Sequence, residues 1–138
     1  MDPATAFGIA SGVVQFISFA SDLIKGVIEI RESGSLKSVK QLSDITDSLQ
    51  QWNKILNSGA RGGRIDAGLA ATLNGCSEVA IQMAHSLQKV RGNSKAHEPL
   101  RSLHVYIKSA WGASEREQLQ KQLNDYRLEI CTYLIVLL

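Results

Sequence analysis

Few side chains in this sequence have the types and spacing that chemistry requires. His85, His97 and His104 do not recur at the three- or four-residue spacing that puts two metal ligands on one helix face. The glycine-rich segment 59–63 lacks the Lys-Ser/Thr pair of a phosphate-binding loop. The sequence contains no Gly-x-Ser-x-Gly motif of serine hydrolases, no His-Glu-x-x-His motif of zinc proteases and no paired-cysteine motif. We therefore predict a chain that is not an enzyme, with no catalytic residue, metal, cofactor or small-molecule substrate.

The cysteines and the charge distribution indicate where the protein resides and whether it binds nucleic acid. Cys76 and Cys131 each stand among apolar residues at helical spacing, which predicts two buried free thiols and a cytoplasmic protein. The net charge is only +2, and basic residues are interspersed with acidic ones. Arg61, Arg64, Lys89, Arg91 and Lys95 fall in or beside two predicted loops, and these loops lie at opposite ends of an up-down bundle. The sequence therefore predicts no nucleic-acid partner.

Helices are the elements that must position any site. The chain has 138 residues and an apolar fraction of 44%, which suits one domain with its own core. Pro3 and Pro99 lie where helices can begin, and apolar residues recur at steps of three and four without strand alternation. We predict an all-α fold, with residues 1–138 forming a single bundle of four to five helices and a long apolar N-terminal helix.

The predicted helices span about residues 2–32, 36–57, 66–90, 99–111 and 114 to the end, with loops at 58–64 and 91–98. The count is four if Gly112 only kinks the last helix, and five if Ser114 and Glu117 form a capping box that starts a new one. The two tryptophans, Trp52 and Trp111, lie on apolar faces and are predicted to pack in the core. The last nine residues carry no charge, and we expect the chain to be cut from a longer protein.

The first predicted helix is apolar over most of its surface. Residues 3–21 contain no charge, and as a helix they extend about 28 Å, close to the hydrocarbon thickness of a bilayer. Gly8 and Gly12 form a Gly-x-x-x-Gly pattern and are candidate close-packing glycines. The candidate membrane-insertion residues of this helix are Phe7, Ile9, Val13, Val14, Phe16, Ile17 and Phe19.

The same helix has a second interpretation, which the residues alone leave open. A central helix of a soluble bundle is equally apolar, and Ser11, Gln15 and Ser18 weaken a permanent membrane span. We expect the helix to be packed in the bundle at rest. Insertion into a membrane is then a conditional event.

Several segments carry a resemblance to a known group of proteins. They are Met1-Asp2-Pro3, Ala6-Phe7-Gly8-Ile9-Ala10-Ser11, Val13-Val14-Gln15-Phe16-Ile17, Glu29-Ile30-Arg31-Glu32-Ser33-Gly34-Ser35, Leu100-Arg101-Ser102-Leu103, Lys108-Ser109-Ala110-Trp111, and the Leu119, Leu123, Arg127 series. The sequence resembles the N-terminal domains of fungal STAND receptors (NACHT-type, NLR-like), within the HeLo-like and SesA-like helical group. The resemblance spans essentially the whole chain and consists of patterns of apolar and small residues.

The resemblance implies a signalling role. The domain would precede a NACHT domain and a repeat sensor, self-associate on activation, and promote regulated cell death, heterokaryon incompatibility or innate immunity. It would reside in the cytoplasm and reach the plasma membrane after activation, where residues 3–21 would insert among membrane lipids. Assembled copies would turn the polar stripe around Gln15 inward, a hypothesis that charges at Val13 or Phe16 would test. The alternative is a passive protein–protein interaction module without membrane activity.

Overall fold

The computed structural model of the chain describes residues 3–25, 35–61, 67–93 and 103–137. These residues form five α-helices, α1 (Pro3–Lys25), α2 (Ser35–Arg61), α3 (Ala67–Asn93), α4 (Leu103–Ala110) and α5 (Ala113–Leu137). No residue within the described ranges belongs to a strand. The predicted all-α bundle with a long apolar first helix is confirmed.

A two-residue break at Trp111 and Gly112 separates α4 from α5. The Trp111 amide still donates to the Ile107 carbonyl at 2.9 Å, and the next helix opens with the Arg116 amide donating to the Gly112 carbonyl, also at 2.9 Å. Because α5 begins at Ala113, Ser114 lies inside its first turn. The prediction that Ser114 caps this helix is therefore wrong in position.

Two helices extend further than predicted. The α2 helix continues across Gly59 to Arg61, and α3 continues across Gly92 to Asn93. A glycine costs a helix only about 1 kcal/mol relative to alanine, so neither glycine is sufficient by itself to end its helix. The predicted continuation of the first helix over 26–32, the remainder of both loops, and the start of α4 at Pro99 lie outside the described residues.

The helix directions follow from short connections and from side-chain pairs. Connections of nine residues (26–34) and five residues (62–66) cannot return along a helix of α2's length, so α2 is antiparallel to α1 and α3. Thr72 is hydrogen-bonded to Glu129, and Gly75 lies against Tyr126. Because the residue numbers rise along α3 while they fall along α5, the two helices are antiparallel. The start of α1, the α2–α3 connection and the end of α5 therefore lie at one end of the bundle.

The core is a single cluster to which all five helices contribute. The α2–α3 hairpin has the most extensive contacts, and α1 packs chiefly against α5, with smaller contacts to α3 and α2. The predicted apolar stripes are buried or half-buried wherever their side chains are described, which covers Ile45, Leu49, Trp52 and Leu56 on α2, Leu69, Leu73, Cys76, Ala80, Met83 and Leu87 on α3, and Leu119, Leu123, Tyr126, Ile130 and Leu134 on α5. Trp111 is buried, as predicted.

Gly75 is the glycine that the packing of α3 on α5 requires. A Cβ built there would lie 2.7 Å from Cε1 of Tyr126, whereas a Cβ on Gly12 would meet no atom within 4 Å. We expect Gly75→Ala to lower the free energy of unfolding by about 1–3 kcal/mol through overpacking. Gly12→Ala should raise it by up to about 1 kcal/mol through helix propensity. Urea denaturation checks both changes, and a stabilised Gly75→Ala variant would contradict the close packing.

Candidate functional site

The seven candidate membrane-insertion residues lie on α1, some in the core and some at the surface. Its core-facing side contributes Val13, Phe16 and Ile17, which are buried, while Ile9, Val14 and Phe19 are half-buried against the core and Phe7 is 50% exposed. The stripe formed by Gln15, Ser18 and Asp22 faces solvent. The residues that would contact lipid are therefore mostly the residues that hold α1 in the bundle.

An aromatic pair fixes α1 against α2. The rings of Phe16 and Trp52 have centroids 5.9 Å apart and planes inclined at 58°. Phe16 is fully buried, and Trp52 is half-buried against the core. Tilted rings at this separation gain about 0.5–1.5 kcal/mol beyond the area they bury.

Gly8 and Gly12 lie on an open part of α1. A Cβ added at either glycine would have no atom of the described residues within 4 Å, so neither glycine makes a close contact with another described helix. Their Gly-x-x-x-Gly pattern leaves a shallow surface on which another helix could approach closely. Close packing through these glycines between copies of the chain stays a prediction.

A reciprocal pair of hydrogen bonds joins the C-terminal part of α1 to the start of α5. The Ser21 hydroxyl donates to Oε1 of Gln120 at 2.9 Å, and Nε2 of Gln120 donates to the Ser21 backbone carbonyl at 3.0 Å. Beside this pair lies a polar groove of about 260 Å³, lined in part by Asp22, Lys25 and Arg127. Each hydrogen bond contributes about 1 kcal/mol to stability. The pair therefore helps to orient α1 against α5 but is too weak to prevent the two helices from separating.

By length and composition, α1 is able to cross a membrane. The stretch Ala6–Lys25 has 20 residues and a mean hydropathy of 1.5, and only 39% of it is buried in the bundle. The core helix of a soluble protein passes the same test of length and hydropathy. The exposed side chains of this stretch include Gln15, Ser18 and Asp22, which lie on the side of α1 away from the core.

The buried thiol of Cys76 is unreactive at neutral pH. Cys76 is fully buried on α3, and loss of solvation raises its pKa from the ordinary 9.0 to about 12, with a further contribution from the negative charge of Glu129. The Thr72 hydroxyl donates to Oε2 of Glu129 at 2.8 Å. Because the thiolate is the reactive form of cysteine, Cys76 is not a nucleophile at neutral pH.

The raised pKa of Cys76 predicts a loss of stability in alkali. Between about pH 9 and pH 12 the folded chain keeps a proton that the unfolded chain has released, so raising the pH favours unfolding. Below pH 9 the contribution is fully present. We expect the wild type to lose more stability than Cys76→Ala between pH 8 and pH 10, by about 1 kcal/mol. Urea midpoints at the two pH values check this, and equal losses in both proteins would contradict it.

Cys131 differs from the prediction that both cysteines are buried. Both thiols are free, but Cys131 is exposed on α5. The run of apolar residues around it includes positions on the outer face of the helix, which a sequence without polar markers does not distinguish from the inner face.

An apolar patch at one end of the bundle was not predicted as a site. Five of the six large hydrophobic side chains that the described part of the chain exposes lie toward the end where α1 starts and α5 finishes, namely Phe7, Ile55, Leu128, Ile135 and Val136. A groove of about 680 Å³ between α3 and α5 opens at the same end, lined mainly by apolar atoms. The uncharged final nine residues are the sequence signal for this patch.

The described residues hold no group of three or more His, Cys, Asp or Glu side chains placed to bind a metal ion. His85 is exposed on α3.

In comparisons with known proteins, no protein family, no curated protein and no solved structure matches this chain. The interpretation of its function therefore rests on the helices, on their contacts and on the resemblance described from the sequence.

Proposed function

We propose that this chain is the non-enzymatic N-terminal effector domain of a fungal NLR-like receptor and promotes regulated cell death or incompatibility. In this proposal, receptor oligomerisation gathers several copies, α1 leaves each bundle, and the released helices insert together into the membrane. The observation that carries the membrane part of the proposal is an N-terminal helix long and apolar enough to cross a bilayer. The assignment to a receptor rests on the resemblance described from the sequence.

The resting state follows from the energy of the α1 contacts. The large buried side chains of α1 are Val13, Phe16, Ile17, Leu23 and Ile24. At roughly 1.5–3 kcal/mol each, exposing them to water costs about 10 kcal/mol, which is comparable to the whole stability of a domain. A lone copy therefore keeps α1 packed, and release requires a membrane that covers the same side chains.

The polar stripe of α1 explains why several copies are needed. Gln15 and Ser18 are exposed in the bundle and lie near the middle of the stretch Ala6–Lys25. A single helix in lipid would leave these polar groups without partners, which is costly in hydrocarbon. Several helices that turn the stripe toward a common axis remove that cost and line a water-filled path.

The test is the release of ions and dye from vesicles by the purified chain, alone and fused to a forced oligomeriser. We expect the monomer to be inactive and the oligomer to release dye. The Gln15→Lys variant, altered at an exposed site, should stay folded and form a pore that favours anions, because a ring of lysines lines it. Planar-bilayer recordings give the anion-to-cation permeability ratio, which should rise several-fold over that of the wild type.

The matched control is Gln50→Lys, which adds the same charge at an exposed position of α2. It should leave the permeability ratio unchanged. Circular dichroism confirms the fold of each variant. Charges at Val13 or Phe16 are unsuitable here, since both side chains are buried and a charge at either would unfold the resting bundle. An oligomer that never releases dye would exclude the membrane-active proposal.

The second candidate is a passive interaction module, favoured by the groove of about 680 Å³ between α3 and α5. Such a module recruits a partner through its folded surface and keeps α1 in place. It predicts no leakage under any condition and a function that survives when α1 is tethered.

A further inference from the structure

The outer face of α5 carries an apolar stripe that no other described helix covers. Leu128 is 55% exposed and Ile135 is 72% exposed, and the exposed Cys131 lies between them. The neighbouring Thr132 hydroxyl donates to the Leu128 backbone carbonyl at 2.9 Å, so it needs no further partner. Over two turns this face presents only carbon, sulfur and a satisfied hydroxyl.

The stripe has the spacing of a helix–helix seam. Asn124, Leu128, Cys131 and Ile135 recur at steps of four, three and four, as do the contact positions of paired helices. From Ile130 onward the sequence contains no charged residue. Between Leu128 and Ile135, two such stripes can pack on each other without burying a charge. The exposed Arg127, whose guanidinium donates to Oδ1 of Asn124 at 3.0 Å, lies beside the start of the stripe.

We propose that this stripe on α5 is an interface between two copies of the chain, packed antiparallel. In this register Leu128 of one copy meets the partner's Cys131, and Asn124 meets the partner's Ile135. The surface is isologous, as expected for a two-fold dimer. The proposal is independent of membrane insertion, since it concerns the folded chain in water.

Charge selects the antiparallel direction. Lys121 stands one heptad before Leu128 and is exposed. A parallel pair would place it against the partner's Lys121 in the seam, where like charges repel. The antiparallel pair instead places Lys121 beside the uncharged final turns of the partner's α5.

Charge also favours a second copy over a lipid surface. Helices that bind membranes from the side carry lysine or arginine around their apolar face. On α5 the three basic residues, Arg116, Lys121 and Arg127, all precede Leu128 and are outnumbered by the four acidic residues Glu115, Glu117, Asp125 and Glu129. Arg127 donates a hydrogen bond to Asn124, and Glu129 lines the groove beside the stripe. That carboxylate would be repelled by anionic headgroups.

The stripe is short, so the dimer should be weak. Two turns of helix, widened by the exposed Phe7 at the same end of the bundle, fall at the small end of protein interfaces. We expect a dissociation constant in the micromolar range or above. A receptor that gathers several copies would raise their local concentration beyond this value.

Sedimentation equilibrium of the whole chain, without lipid, measures the dimer. Leu128→Glu and Ile135→Glu should each raise its dissociation constant more than about tenfold, because they place carboxylates in the seam. Ile81→Glu, at an exposed position of α3 away from this end, should leave it unchanged. A short bis-maleimide should link wild-type dimers through Cys131, with the buried Cys76 as an unreactive internal control.

Cysteine pairs test the direction. In a Cys131→Ser background, the Asn124→Cys and Ile135→Cys variants should cross-link when mixed but not separately. Self-linking of Asn124→Cys would overturn the antiparallel arrangement. A chain that stays monomeric at all concentrations, or a dimer that survives both glutamate variants, would overturn the interface itself. Vesicle binding by the monomer that Ile135→Glu abolishes would assign the stripe to lipid and overturn it as well.

Discussion

Phe16→Ala should lower the free energy of unfolding by about 3–5 kcal/mol, a large part of the stability of a domain this size. The ring is fully buried and pairs with Trp52, so its removal leaves a cavity that α1 and α2 can close only by shifting toward each other. Urea denaturation followed by far-ultraviolet circular dichroism measures the loss. Tryptophan fluorescence, which reports on Trp52 and on the buried Trp111, should change in the same transition.

The control for this prediction is Phe7→Ala, which removes the same side chain from the same helix where it is 50% exposed. Its cost should be below about 1 kcal/mol, since little apolar area returns to water. Equal effects of the two substitutions would mean that Phe16 is not in the core. The contact between α1 and α2 would then have to be reassigned.

The periodicity of the sequence was enough to predict the inner faces of the helices. Leu69, Leu73 and Met83 are buried on α3 as the three- and four-residue steps require. The ends of the helices were less predictable: Gly59 and Gly92 were assigned to loops, yet the helices continue past both. Glycine lowers helix propensity by only about 1 kcal/mol, and the packing partner that decides the outcome is remote in sequence.

The position of the candidate residues on one helix was predictable from the sequence, but their contacts were not. Seven apolar residues of α1 were identified from composition, and the structure divides them between core and surface. The partner of Ser21 is Gln120, 99 positions away, and nothing in either local sequence indicates this pair. The exposed apolar stripe on α5 could not be predicted from the sequence for a related reason. In an uncharged run, apolar residues on the outer and inner faces of a helix look alike.

A covalent tether between α1 and α5 should abolish vesicle leakage by the oligomerised chain. The side chains of Ser21 and Gln120 are in contact, so the Ser21→Cys/Gln120→Cys pair places two thiols where a short reducible bifunctional reagent can join them. With Cys131→Ser in the same chain, no other exposed thiol competes among the described residues. Dye release should fall to background when the helices are joined and return when a reductant breaks the link.

The control tether joins two positions of α5 alone, through Gln118→Cys and Gln122→Cys, which are both exposed and one turn apart. It carries the same chemistry without connecting two helices, so leakage should persist. This comparison separates the two candidate functions, because an interaction module does not need α1 to move. A tethered chain that still releases dye would show that α1 acts without leaving α5. The membrane-contacting surface would then have to be sought on the intact bundle.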